Sequence, residues 1–291
     1  MRPSLHLSTM TEDLSNIHMS KAEFQEYGYR LVDWLAEYFD NVDQYQVLPS
    51  IEPGDIRKML PVSAPEGAES MDEIIADLDR VVMPGVAHWQ HPGWYAFFPS
   101  GASPVSALGE FVAAGLATQG MMWSTAPAAT EIENTVLDWL VDLLGLPPSW
   151  RLDEGPGGGV IQMSASDSTH LSLAVARHQF ELTGADANSL VAYGSSQAHS
   201  SIEKGARVAG FKHIRSVPVT ETFGIDADAF AKIVRDDIDS GLIPAWVCSA
   251  VGTTNTTAMD PIRAIAAIAS ENGMWHHADA AYAGSAMICP E

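Results

Sequence analysis

Three short segments of the sequence carry residues that could bind a charged ligand. The first runs from Gly157 to Asp167 and ends in Ser164-Ala165-Ser166, where a helix is predicted to begin. Small residues, two hydroxyls and the free backbone N–H groups of a helix start form an anion site that suits phosphate. The alternative is that Ser164 or Ser166 only caps the helix. The segment is neither a GxGxxG nor a Walker loop, so a nucleotide site gains little support.

The second segment places a carboxylate, Asp279, after an apolar strand and among small residues. A carboxylate in such surroundings is costly unless a cation pairs with it. The protonated ring nitrogen of pyridoxal phosphate is one such cation, and a metal ion held with His276 and His277 is the rival explanation. Adjacent strand residues point to opposite faces, so these two histidines do not easily share one ion. We therefore expect no metal.

The third segment contains a histidine, His199, just after another predicted strand. A histidine in that place could stack on a flat cofactor or transfer protons, and a purely structural histidine is the alternative. A Ser–His hydrolase is set aside because the chain has no GxSxG sequence.

Strands and helices are predicted to alternate around these segments. Strands are expected over 190–193, 213–217, 243–251 and 274–279, and helices over 130–144, 166–183, 199–209, 226–240 and 260–272. This alternation predicts an α/β fold with a mostly parallel sheet and right-handed crossovers. Ligands of such sheets bind outside the carboxyl ends of the strands, where the three segments lie.

The first hundred residues are predicted to be helical and irregular rather than part of that sheet. Residues 1–19 are expected to be a poorly ordered leader, and a helix begins at Ser20, which can form a capping box with Glu23. Its aromatic stripe favours packing on another subunit or, as the alternative, on its own domain. An extended connection over 48–67, a helix over 70–82 and an irregular segment over 88–106 follow. We place the domain boundary between residues 103 and 104.

Composition excludes several classes of partner. The 291 residues include 15 Lys and Arg against 37 Asp and Glu, a formal net charge of -22, which argues against nucleic acid and anionic membranes. No apolar run reaches the ~20 residues of a membrane helix. There is no signal-peptide core, and Cys248 and Cys289 are expected to be reduced thiols, so a cytoplasmic protein is predicted.

The three segments, together with several others in order along the chain, resemble the group II pyridoxal-phosphate-dependent decarboxylases, the aromatic-L-amino-acid decarboxylase family. The resemblance runs from about Ser20 to Glu291, and the ordered set is specific although each motif alone is weak. The motifs are Pro84-Gly85-Val86 with His88-Trp89, Phe97-Phe98-Pro99, Trp123 with Ala126-Pro127-Ala128-Ala129-Thr130-Glu131, Gly158-Gly159-Val160 with Ser164-Ala165-Ser166, Gln197-Ala198-His199-Ser200-Ser201, Gly252-Thr253-Thr254, and Asp279-Ala280-Ala281-Tyr282-Ala283-Gly284-Ser285.

The resemblance implies a fold-type I large domain over 104–291, a dimerisation segment over 20–103, and a homodimer with the active site at the subunit interface. It implies catalytic roles for His199, stacked on the cofactor ring, and for Asp279, paired with the ring nitrogen. The residues implied to bind pyridoxal 5′-phosphate are Ser164, Ala165, Ser166, His199, Thr254, Asp279 and Ala281. The residues implied to form the substrate pocket are Trp89, Phe98 and Ser100.

The activity that the resemblance implies is decarboxylation of an aromatic L-amino acid to its amine and CO2. Oxidative deamination to an aldehyde on the same scaffold is a second hypothesis. His199 favours decarboxylation, because relatives with the aldehyde activity often lack that histidine. Gln119 and Met121 stand where relatives often carry larger apolar residues, so the substrate stays open.

A third hypothesis is a non-catalytic chain that folds in part or dimerises. In relatives the Schiff-base lysine follows a Pro-His pair beyond the segment that matches Asp279, and the sequence ends at Glu291. Lys204 stands on the helix predicted after His199 and is expected to face solvent or a second subunit. The resemblance therefore implies that the 291-residue chain by itself is inactive and lacks the catalytic loop and the C-terminal domain.

Overall fold

The computed structural model describes residues 19–98 and 101–290. The leader predicted over 1–19 lies almost wholly outside these residues. The chain divides into two compact units between Ala117 and Thr118. The boundary at 103/104 and the dimerisation role of 20–103 stay predictions. Among the described helices, none is both long enough and apolar enough to cross a membrane.

The first unit consists of helices joined by irregular segments. Its helices are α1 Lys21–Asp40, α2 Asp55–Met59, α3 Met71–Asp77 and α4 Pro104–Leu116. The predicted capping box at α1 is confirmed, since Ser20 Oγ accepts the Glu23 N–H at 3.2 Å and the Glu23 carboxylate accepts the Ser20 N–H at 2.7 Å. Phe24 of α1 stacks on Phe111 of α4, with ring centroids 6.1 Å apart.

Two predictions for the first unit were wrong in detail, and one helix was missed. The connection expected to be extended over 48–67 contains the short helix α2, which begins after Gly54 in a left-handed conformation. The helix predicted over 70–82 is α-helical only to Asp77 and continues as a π-helical turn, Leu78–Val82. Helix α4 was not predicted, although Ser103 caps it and Pro104 occupies its first position.

The second unit contains a four-stranded sheet with all its strands parallel, in the order β2-β1-β3-β4. The strands are β1 Leu190–Ser195, β2 His213–Val217, β3 Ile243–Ala250 and β4 Trp275–Asp279. The helices are α5 Pro127–Leu143, α6 Ala165–Leu182, α7 Ser201–Val208, α8 Ala227–Asp239 and α9 Ile262–Glu271. The predicted α/β class and the four predicted strands are confirmed.

Helices cover both faces of this sheet. On one face, Trp246 of β3 is buried with residues of α6 and α7, and on the other, Val247 is buried with residues of α8 and α9. The register places Cys248 beside His277 and Ala250 beside Asp279. Because side chains alternate along a strand, His277 and Asp279 share the face that α6 covers.

Candidate functional site

The start of α6 presents backbone donors. Ser164 is the N-cap, and its Oγ accepts the Asp167 N–H at 3.2 Å while donating to the Asp167 carboxylate at 2.8 Å. Within the described part of the chain, no acceptor is found for the N–H groups of Ala165 and Ser166. Ser164 therefore does cap the helix, as the alternative proposed, and the two free donors beside it can still bind an anion.

The carboxylate of Asp279 ends β4. Its Oδ1 accepts the Ala281 N–H at 3.1 Å, which brings these two predicted site residues together. The backbone carbonyl of Asp279 accepts the Val251 N–H at 2.8 Å and fixes the strand end to β3. No donor among residues 19–98 and 101–290 reaches Oδ2 of Asp279. That oxygen is available for a cationic or N–H partner.

The segment Gly252-Thr253-Thr254 follows β3 and packs on the chain that leaves β4. Gly252 has φ +89°, and a Cβ at that position would lie 2.2 Å from Cδ1 of Tyr282. Only glycine fits this approach. Thr253 is buried and accepts the Ala258 N–H at 3.0 Å, whereas Thr254 is exposed.

His199 lies in the loop between β1 and α7. The helix predicted from this residue begins instead at Ser201, because the Ser201 N–H donates to His199 Nδ1 at 3.2 Å and turns the chain there. A neutral ring whose Nδ1 accepts carries its proton on Nε2. His199 and Thr254 both line a cleft of about 590 Å³ at the carboxyl ends of β1 and β2.

A hydrogen-bond network joins α6 to the strand that carries Asp279. Thr169 Oγ1 donates to the carbonyl of Ala165 at 3.0 Å and lies 3.3 Å from His277 Nε2. Burial lowers the pKa of His277, and the nearby Asp279 raises it by a smaller amount. The two predicted site segments at Ala165 and Asp279 are thus connected through the side chains of Thr169 and His277.

The two adjacent histidines bond on opposite faces of the sheet. His276 Nε2 lies 2.7 Å from Ser249 Oγ, and burial lowers the pKa of His276. His277 faces Thr169 and stacks on Trp246, with ring centroids 5.5 Å apart. His276 and His277 therefore lie on opposite faces of the sheet, as expected from the alternation of side chains along a strand.

The residues predicted to form the substrate pocket belong to the first unit. Trp89 stacks on Trp94 and Phe97, with ring centroids 4.6 Å and 5.8 Å away, and Phe98 is exposed. Ser100 lies outside the described residues. The assignment of these three residues to a pocket stays a prediction.

Sequence reasoning missed Asp260 as a residue that holds the site together. This carboxylate is buried and accepts the N–H of Ile225 at 2.8 Å and of Ala250 at 2.7 Å. Ala250 pairs with Asp279 in the sheet, so Asp260 fixes the strand end beside the site. Burial raises the pKa of Asp260, and its two backbone hydrogen bonds lower it by less. Its place just before α9 suggested only a helix start.

None of the five lysines in the sequence stands at the carboxyl end of a strand. Lys204 is in α7 and donates to Ser200 Oγ at 3.2 Å, and Lys212 precedes β2. Lys58 and Lys232 pair with Asp55 and Asp236 within their own helices, and Lys21 opens α1.

Comparison with known proteins identifies similar sequences and a similar fold. The pyridoxal-dependent decarboxylase conserved domain matches residues 53–291. An aromatic-L-amino-acid decarboxylase of Catharanthus roseus is 44% identical over 275 residues, covering 92% of this chain and 55% of the relative. A phenylacetaldehyde synthase of Arabidopsis thaliana is 41% identical over 279 residues, covering 94% of this chain and 57% of the relative.

A solved structure has the same fold as this chain. The crystal structure of Catharanthus roseus tryptophan decarboxylase in complex with L-tryptophan has a TM-score of 0.88 at 42% identity, covering 94% of this chain and 59% of that chain. The α/β architecture expected from the sequence is therefore that of these enzymes. The chain spans about half the length of the curated relatives it matches.

Proposed function

Because the chain belongs to the pyridoxal-dependent decarboxylase family, we propose that it forms the cofactor-binding part of an enzyme that decarboxylates an aromatic L-amino acid. The observation that carries this proposal is the placement of Asp279 on the sheet face that α6 covers, joined to the start of α6 through His277 and Thr169. An anion site and a carboxylate are the two groups that would bind the phosphate and the ring nitrogen of pyridoxal 5′-phosphate.

The groups present suit that cofactor. The free N–H groups of Ala165 and Ser166, with the hydroxyl of Ser166, would hold the phosphate. Oδ2 of Asp279 would accept the ring N–H and keep that proton on the ring. Pyridoxal phosphate, when bound, supplies a protonated ring that draws off the electron pair released as CO2 departs.

The remaining predicted residues would orient the ring and the substrate. His199 is exposed, and its Nδ1 is fixed by Ser201, so its ring can stack on the cofactor with Nε2–H as a donor. Thr254 lines the same cleft as His199, which does not include Asp279 or the start of α6, and we propose that the bound cofactor connects these groups. Ala281, whose N–H bonds Asp279, has a side chain small enough to lie beside a flat ring. Trp89, Phe98 and Ser100 would contact the aromatic side chain of the substrate.

The proposed substrate class is supported by relatives that act on such amino acids, including the tryptophan decarboxylase solved with L-tryptophan. The test uses the protein at the full length of its relatives, supplied with tryptophan, tyrosine, dihydroxyphenylalanine or phenylalanine. We expect CO2 and the matching amine from at least one of them. Release of CO2 from none would refute the aromatic substrate class.

Asp279→Asn tests the role of the carboxylate in the same assay. Because an amide cannot hold the ring proton as a carboxylate does, kcat should fall by roughly 100-fold. Asp226→Asn is the matched control, since Asp226 caps α8 by accepting the Ala229 N–H at 3.0 Å and asparagine caps equally well. Equal activity of Asp279→Asn and Asp226→Asn would remove Asp279 from the mechanism.

Aldehyde synthesis is the second candidate, because the phenylacetaldehyde synthase of Arabidopsis thaliana is 41% identical to this chain. Product analysis separates the two activities. The amine supports the decarboxylase that His199 favours, whereas the aldehyde with ammonia and hydrogen peroxide, formed as O2 is consumed, supports the synthase.

We also propose that the 291-residue chain does not form the Schiff base by itself, since none of its lysines stands at the carboxyl edge of the sheet. Borohydride treatment with the cofactor should then fix only scattered adducts on exposed lysines of this chain, such as Lys58 and Lys232, whereas a chain of the relatives' length should carry one stoichiometric adduct. A specific adduct on Lys204 would contradict this.

A homodimer in the cytoplasm is the assembly and location that we propose. Support for the dimer comes from apolar side chains left exposed on α1 and α4, including Phe24, Leu108 and Phe111. Support for the location comes from Cys248 and Cys289, which are both free thiols. Sedimentation of the full-length protein tests the dimer.

A further inference from the structure

We propose that Thr169 and His277 act as a positioning pair that sets the spacing between the start of α6 and Asp279. The inference rests on the proposed function, because it concerns the two ends of the cofactor site. Neither side chain is assigned to the cofactor itself. Thr169 lies one turn into α6, and His277 lies two residues before Asp279 on the same face of β4.

The direction of the hydrogen bonds follows from the single proton of the threonine hydroxyl. Thr169 Oγ1 donates that proton to the carbonyl of Ala165 at 3.0 Å, so its lone pair faces His277 Nε2 at 3.3 Å. His277 must therefore be the donor, with its proton on Nε2. The His277 imidazole thus donates to the Thr169 hydroxyl, and this hydroxyl donates to the Ala165 carbonyl. The N–H of Ala165 is one of the two free donors.

Both members of the pair are held in place by a second contact. The His277 ring stacks on Trp246 at an interplanar angle of 23°. The indole Nε1 of Trp246 donates to Ser172 Oγ at 3.2 Å, and Ser172 Oγ donates to the carbonyl of Thr169 at 2.9 Å. Thr169 is 1% exposed, so water does not compete for these bonds. These contacts hold α6 against β4 at the site.

Substitutions at Thr169 and His277 can distinguish the effect of their hydrogen bond from the effect of side-chain packing. Thr169→Val removes the hydroxyl at nearly constant shape, and His277→Phe keeps a ring on Trp246 but removes Nε2. Thr169→Ser restores the hydroxyl. Thr130→Val is the matched control, because it removes a hydroxyl that likewise donates to the carbonyl four residues earlier, that of Ala126 at 3.1 Å, but in α5 and not in α6 or β4.

Three measurements on the chain read out the spacing. The first is the affinity for inorganic phosphate, measured by phosphorus NMR. The second is the hydrogen-exchange rate of the Ser168 amide, which donates to the Ser164 carbonyl at 3.1 Å. The third is the nitrogen chemical shifts of the His277 ring, which report its tautomer. We expect the Nε2–H tautomer in the wild type. Thr169→Val and His277→Phe should each weaken phosphate binding about three- to tenfold, the effect of one hydrogen bond.

If Thr169 and His277 act as one pair, the effects of their two substitutions on phosphate affinity should not add. The double variant Thr169→Val with His277→Phe should bind phosphate within about twofold of either single variant, and Thr169→Ser should stay within about twofold of the wild type. Additive losses, an equal loss in Thr130→Val, or an Nδ1–H tautomer of His277 would each contradict the proposal that Thr169 and His277 act as a pair.

Failure of the cofactor proposal would be visible separately. If the wild type binds no phosphate, the start of α6 is not an anion site. The exchange rate of the Ser168 amide then tests the coupling of Thr169 and His277 without reference to the cofactor. Faster exchange in Thr169→Val that Thr169→Ser reverses would support the coupling. Exchange that is unchanged in Thr169→Val and His277→Phe would refute it.

Discussion

His276 and His277 are held neutral by burial, and this makes the stability of the second unit depend on pH. Burial lowers both pKa values below the usual 6.5, so the unfolded chain takes up protons that the folded chain refuses. The stabilisation is complete above pH 6.5 and is lost as the pH falls below it. The free energy of unfolding should fall by at most about 1.4 kcal/mol per pH unit for each histidine.

Urea unfolding between pH 7.5 and about 5 measures this slope. His276→Gln removes one titrating group but keeps an amide that can bond Ser249 Oγ, so the slope should fall by about half relative to the wild type. An unchanged slope in His276→Gln would show that other groups carry the pH dependence.

The buried carboxylate of Asp260 stabilises the fold through the two hydrogen bonds that it accepts. Its two carboxylate oxygens each accept one backbone N–H, from Ile225 and Ala250. Asp260→Asn removes the charge but turns an amide N–H2 toward one of these donors. That donor then lacks an acceptor, which costs about 1–3 kcal/mol of unfolding free energy.

Thermal unfolding of Asp260→Asn beside Asp226→Asn tests this argument. Asn replaces the N-cap Asp226 without loss, so that variant should stay within about 0.5 kcal/mol of the wild type. Equal stability of the two variants would show that neither the charge nor the second acceptor of Asp260 is needed, and would contradict this argument.

Some of the site residues carry a local sequence signal, and others can be recognised only in the folded structure. Asp279 and the start of α6 stand out because a carboxylate after an apolar strand and small residues before a helix are local patterns. His277 has such a signal too, since it lies two residues before Asp279 and so shares its face. Its partner Thr169 is more than a hundred residues away in the chain, and only the packing of α6 on β4 joins them.

At the scale of elements, periodicity found the strands and missed α4. The strands of the second unit are short, apolar and bounded by turn residues, which is a strong local signal. Helix α4 contains Gly109 and Gly115, which lower helix propensity, and it follows an irregular aromatic segment. The signal that could have found it is Ser103-Pro104, an N-cap followed by a proline in the first helical position.

Gly109 and Gly115 yield a prediction for α4. A Cβ at either position meets no atom within 4 Å, and neither residue has positive φ. Gly109→Ala and Gly115→Ala should each stabilise the first unit by about 0.5–1 kcal/mol, because alanine loses less backbone entropy on forming a helix.

Gly54 is the matched control for these variants. A Cβ there also meets nothing within 4 Å, but its φ is +99°. Gly54→Ala should therefore destabilise the unit, as followed by thermal unfolding of each variant. Stabilisation by all three substitutions would show that the effect does not come from helix formation.

At the scale of the whole molecule, net charge and exposed apolar surface act against each other. A net charge of -22 makes copies of the chain repel one another. In the first unit, α1 and α4 line a groove with apolar side chains, among them Leu31, Leu35, Leu108 and Phe111. Exposed apolar surface of this kind favours association.

Salt should decide between these two effects. The screening length shrinks from about 10 Å at 0.1 M salt to about 3 Å at 1 M, which removes the repulsion but leaves apolar contact intact. Sedimentation should therefore show a chain that associates increasingly as the sodium chloride concentration rises.

Phe111→Glu or Leu108→Glu should suppress that association, because each places a charge in the groove. Val62→Glu, at a fully exposed position of the same unit, adds the same charge outside the groove and should leave association nearly unchanged. Equal suppression by Val62→Glu and Phe111→Glu would assign the effect to net charge rather than to the groove.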